Sequence, residues 1–70
     1  MAKTLTATYE NGDAARNARD DLIDTGYPDE KVFLDDAASA VKVITPAETA
    51  REAREILDRH QPERIDETPL

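Results

Sequence analysis

Polar and apolar positions alternate with period two at the start of the chain. Residues 4–9 read Thr-Leu-Thr-Ala-Thr-Tyr. That pattern predicts a half-buried strand with Leu5, Ala7 and Tyr9 pointing inward. Asn11-Gly12-Asp13 breaks the run, and Asn11 or Asp13 is placed to cap a helix. The period then becomes helical. Ala15, Ala18 and Leu22 fall at i, i+3 and i+7, with Ala14 and Ile23 widening the stripe. This helix is expected from Gly12 or Asp13 to Thr25, with Gly26 as its left-handed cap and Pro28 preventing continuation. Arg16 and Asp20 are expected to pair on its wet side.

Lys31-Val-Phe-Leu-Asp35 and Ala40-Val-Lys-Val-Ile44 are short apolar runs separated by Asp36-Ala-Ala-Ser39. Two strands with so short a connection predict an antiparallel hairpin. Thr45-Pro46-Ala47-Glu48 carries the signature of a helix start. Thr45 suits the cap, Pro46 the first helical position, and Glu48 the return bond of a capping box. The second helix is expected over 46–60, with Ala50, Ala53, Ile56 and Leu57 as its apolar stripe. Arg51/Glu55 and Glu55/Arg59 are expected to pair on its outer side. Glu63-Arg-Ile-Asp66 predicts a last short strand with Ile65 inward. The expected organisation is one domain over 1–67 with a frayed tail at 68–70.

An eight-residue pattern recurs at an offset of 35. Ala15-Arg-Asn-Ala-Arg-Asp-Asp-Leu22 is matched by Ala50-Arg-Glu-Ala-Arg-Glu-Ile-Leu57. Two copies of one strand–helix unit imply that neither half buries its apolar face alone. The order β-α-β-β-α-β predicts an α+β, ferredoxin-like fold: a four-stranded antiparallel sheet with two helices on one face. The expected core is Leu5, Ala15, Ala18, Leu22, Val41, Val43, Ala53, Ile56, Leu57 and Ile65. A strict 35-residue offset would pair Ala7 with Lys42 and bury a lysine. A one-residue slip between the third strand and the second helix keeps Val41 and Val43 inward instead, which avoids burying an unpaired charge.

Charge and composition then narrow the functions. Sixteen Asp and Glu oppose nine Lys and Arg, for a net charge of −7. A field of that sign repels phosphate backbones and anionic lipid surfaces, so neither nucleic acid nor membrane is expected as a partner. No run approaches the ~18 apolar residues of a membrane span, and a cytoplasmic location is expected. Cysteine is absent, which removes disulfides and thiolate metal sites. A small domain without those staples needs tight packing or self-association.

Candidate chemistry is sparse. His60 is the single histidine, with Asp58 and Glu63 near it in sequence, and its place near a helix C-terminus suits an imidazolium beside the helix dipole. Asp20, Asp21, Asp24, Asp29, Glu30, Asp35 and Asp36 form an acidic rim whose spacing fits no EF-hand loop. No catalytic triad, glycosidase carboxylate pair or phosphate-binding glycine loop is present. No catalytic, cofactor or metal site is expected, and the chain is not expected to be an enzyme. Arg16, Arg19, Arg51 and Arg54 are expected to flank the core and pair with carboxylates, the alternative being an acidic partner.

The threonine-rich first strand, the Gly26-Tyr27-Pro28 turn and Ala53-Arg-Glu-Ile-Leu-Asp-Arg-His60 followed by Ile65-Asp66-Glu67 resemble a group of small bacterial general-stress (heat-induced stress) domains. The resemblance implies a stress-linked bacterial protein and supplies no catalytic residue.

The open sheet face is the strongest candidate surface. Its outward residues are expected to include Thr4, Thr6, Thr8, Lys42 and Ile44, with either Phe33 or the Val32/Leu34 pair from the second strand. The first expectation is a non-enzymatic module that forms a homodimer or binds a protein partner through Thr6, Thr8, Lys42 and Ile44. The alternative is a small-molecule-sensing regulatory domain, with its ligand at a dimer interface near Asn11, Gly12 and Asp13.

Overall fold

The computed structural model describes residues 1–69. Six main elements follow in the order β1 (Ala2–Thr8), α1 (Gly12–Thr25), β2 (Val32–Asp35), β3 (Ala40–Pro46), α2 (Ala50–Asp58) and β4 (Arg64–Pro69). Single 3-10 turns at Asp29–Lys31 and Ala47–Thr49 precede β2 and α2. The strands form one sheet in the order β2-β3-β1-β4, every pair antiparallel. This is the ferredoxin-like α+β fold.

Period-two alternation decides which face is sealed. Leu5, Ala7, Val41 and Val43 are fully buried with both helices over them, whereas Lys42 lies exposed between the two valines. The strand parity therefore follows burial and not the strict repeat offset. The helices keep the offset: Ala15 and Ala50, Ala18 and Ala53, Leu22 and Leu57 are all buried. Alanine has no bulk to hold a helix off the sheet, so the leucines one turn on reach fully into the core. The expected core is buried at every position except Ile65, which is partly buried on the edge strand β4. Tyr9, Val32, Ala40 and Thr45 are buried as well.

The repeat extends to the C-terminal ends of the helices, while their N-terminal ends differ. Asn11 caps α1, accepting from the Ala14 N–H at 2.9 Å. Gly26 ends α1 with φ 121°. Thirty-five residues on, Gln61 holds φ 57° just past α2. Both turn the chain in the left-handed region, which glycine adopts freely and glutamine does not.

The start of the second helix differs from the expected capping box. Ala47 N–H donates to Met1 O at 2.7 Å, so β3 continues beside β1 through Pro46. Thr45 pairs with Lys3 in that ladder and is almost fully buried. Its hydroxyl meets the Thr49 hydroxyl and caps no helix. The helix proper begins at Ala50, four residues later than predicted. The C-terminal strand is also longer than predicted. Thr68 pairs with Thr4 and Pro69 with Lys3, so the expected tail is strand up to Pro69; Leu70 lies outside the described residues.

Leu57→Ala removes a fully buried side chain beneath α2. It is expected to destabilise the fold by ~2–5 kcal/mol, read as a loss of cooperative unfolding or a large drop in melting temperature. Gln61→Gly relieves left-handed strain and is expected to stabilise by about 1 kcal/mol. A lower melting temperature for Gln61→Gly would show that the glutamine side chain supports that turn.

Candidate functional site

The cross-strand register sets the open sheet face out in rows. One row runs Asp35, Ala40, Thr8, Arg64 across β2, β3, β1 and β4. The next runs Phe33, Lys42, Thr6, Asp66, and a third runs Ile44, Thr4, Thr68. The structure thus brings Thr6, Thr8, Lys42 and Ile44 together on one surface, with Thr6 directly opposite Lys42. On this face Ile44 is half-buried, and Thr4 and Ala40 are buried by their strand neighbours, where the sequence suggested that Thr4 and Ile44 are exposed.

Strand β2 turns Val32 into the core and Phe33 outward. Phe33 is 47 % exposed. A shallow groove of about 390 Å³ lies along Phe33, Lys42 and Ile44. The short, branched threonines leave the centre of the face low in relief. Its charged groups are Asp35, Lys42, Arg64 and Asp66, two of each sign, and Arg64 holds Asp66 at 3.0 Å. Against a chain charge of −7, this surface is close to neutral. Arg64, Asp66 and Thr68 complete this face from β4; of the three only Thr68 lies beyond the strand that the sequence predicts over 63–66.

The loop at Asn11, Gly12 and Asp13 lies at the N-terminus of α1 with its polar groups engaged. Asn11 caps the helix, and Asp13 pairs with Arg16. Arg16 also reaches Asp36 at 3.4 Å, and its guanidinium lies over Gly12. Arg19 holds Asp20 at 2.8 Å in place of the expected Arg16–Asp20 pair. Arg54 reaches Glu67 at 3.5 Å. Lys3 donates to Glu67 at 2.8 Å, and that bond holds the Glu67 carboxyl below its usual range. Arg59 turns to Asp21 of α1, not to Glu55.

His60 is partly buried and meets neither sequence neighbour. Its Nε2 lies 3.0 Å from Asp21 Oδ2, so the imidazole joins the C-terminal halves of the two helices. Helix packing alone creates this pair. Among the described residues, no group of three His, Cys, Asp or Glu side chains converges closely enough to hold a metal ion. No described helix is long and apolar enough to cross a membrane.

A second cleft, about 480 Å³, opens at the other end of α1 from the Asn11 loop. Tyr27, Ile44 and Pro46 wall it, and Lys31 and Glu52 supply charge. Tyr27 donates its hydroxyl to Glu52 at 3.0 Å. Tyr9, at the far end of β1, donates its hydroxyl to the Leu57 carbonyl at 2.8 Å. Loss of hydration on burial raises both phenols above their usual value. Glu52 adds to the effect at Tyr27, which is pushed up to about 12, and Asp58 adds to it at Tyr9.

No family model matches the chain, and neither does any curated protein or solved structure.

The tyrosines give a pH dependence of known sign. An unfolded tyrosine ionises near 10, so the stability linked to Tyr27 is fully present below that pH. It is lost as pH rises toward about 12. Tyr27→Phe should flatten part of the alkaline fall in melting temperature. In the folded wild type, tyrosinate absorbance should show neither phenol half-ionised at about pH 10.

Proposed function

We propose that this protein is a non-enzymatic association module whose open sheet face receives a second copy of the chain. The observation that carries this reading is the contrast between that face and the rest of the surface. Acidic residues crowd the helices and turns, where a second copy would meet like charge. The face built on Thr6, Thr8, Lys42 and Ile44 is neutral in sum, and Phe33 stands out from its edge. A second copy meets the least repulsion there and gains apolar burial. The stress-linked bacterial setting implied by the resemblance, and a cytoplasmic location, belong to the same proposal.

Its size sets the strength. Four strands spaced about 4.8 Å apart, up to seven residues long at about 3.3 Å each, cover on the order of 400 Å². That is about half of the roughly 800 Å² per partner in a standard interface. Repulsion between two chains of −7 weakens the pair further. The dimer is therefore a modest one, with a Kd on the order of 100 µM.

The small-molecule-sensing alternative draws support from the 480 Å³ cleft, whose Ile44 wall also borders the open face. That size suits a compact ligand with an apolar body. A thermal-shift screen against amino acids and nucleotides tests it, because a ligand selective for the folded state raises the melting temperature.

For the dimer, light scattering or sedimentation at about 100 µM should show mass rising toward two chains. The effect should grow with added salt, which screens the net repulsion. Phe33→Glu should give a monomer with nearly unchanged melting temperature. A wild type that stays monomeric at both low and high salt refutes the reading.

A further inference from the structure

We infer that the two copies pack with their twofold axis parallel to the strands, along the seam between β3 and β1, so that Asp35 of each faces Arg64 of the other. This rests on the open-face reading above. A face-to-face twofold maps the face onto its own mirror arrangement. The largest overlap requires the axis to pass through the centre of the face. Aligned packing of the two sheets then leaves two directions for it.

An axis across the strands, on the middle row, sets each residue of that row against its own copy. Lys42 then meets Lys42, and Asp66 meets Asp66. Two like-charge contacts at the centre oppose association. An axis along the strands exchanges β2 with β4 and β3 with β1. Lys42 lands on Thr6, and Ile44 lands on Thr4. Asp35 at one corner lands on the partner's Arg64, and symmetry makes the contact twice. Phe33 comes to rest beside the partner's Arg64–Asp66 pair, where a guanidinium can lie against the ring. Only this axis turns the charge pattern into opposite-sign contacts without stacking like on like.

The side chains are available for it. Asp35 accepts from the Ala38 N–H at 3.2 Å through Oδ1 alone, which leaves Oδ2. Arg64 uses Nε and Nη2 on Asp66, which leaves Nη1. Both residues are exposed at opposite edges of the sheet.

The test is charge exchange between chains, read by sedimentation equilibrium. Asp35→Arg alone and Arg64→Asp alone should each weaken the homodimer about tenfold. An equimolar mixture of the two should restore at least wild-type affinity, because the mixed pair regains both opposite-sign contacts, one in its original sense and one reversed. Bulk charge predicts otherwise. Asp35→Arg lowers the net charge by two units, from −7 to −5, and simple repulsion would make that homodimer tighter than wild type. Asp35→Asn keeps the acceptor for Ala38 while removing the charge, and it should weaken association severalfold with the fold intact by circular dichroism. Unchanged affinity in Asp35→Asn, or a mixture no tighter than its components, overturns the axis. If Phe33→Glu still abolishes that dimer, the face stands and only the axis falls. A wild type monomeric at about 1 mM removes both.

Discussion

The two-residue alternation of β1 is the constraint on which the rest of this domain depends. β1 is paired on both sides, with β3 and with β4. Its Leu5 and Ala7 are fully buried, with α2 packed on β1 and α1 on β2 and β3. A slip of one residue would turn every side chain over and place threonine hydroxyls under the helices. The same alternation makes the opposite face from threonines. Core and open sheet face are two consequences of one pattern.

On the core side, alanine sets the spacing. Four alanines at repeat-related positions let both helices approach the sheet, so Leu22 and Leu57 fill the interior. The two halves are then tied by contacts that cross between them. Tyr9, leaving β1, bonds the carbonyl of Leu57 in α2. His60 and Arg59, leaving α2, bond Asp21 in α1. Such contacts join residues far apart in sequence, so neither half holds its packing alone.

On the open side, charge is managed by placement. The carboxylates of α1 and of the turns either pair with arginine or face solvent, and together they surround the molecule with negative potential. The sheet face breaks that field with Lys42 and Arg64 set against Asp35 and Asp66. In the proposed dimer, repulsion elsewhere leaves the neutral face as the approach that meets the least like charge.

Element types and order were legible in the chain because periods of two and about 3.6 report burial directly. The α1 boundaries, the inward parity of β1 and β3, and nine of the ten expected core positions at full burial all trace to that signal. Thr6, Thr8, Lys42 and Ile44 were legible for the same reason, as the other half of the alternation. The facing of β2 was not. Val-Phe-Leu is apolar throughout, so only the pairing of Val32 with Val43 decides that Phe33 points outward. Thr45 carried a sound local helix-cap signal, yet the longer ladder with β1 drew it into a strand. The reach of β4 to Pro69, the Asp21–His60 contact and the corner placement of Asp35 and Arg64 come from pairing between segments distant in sequence. Local pattern determines which side of an element is buried; only the assembled sheet decides which residues become neighbours across it.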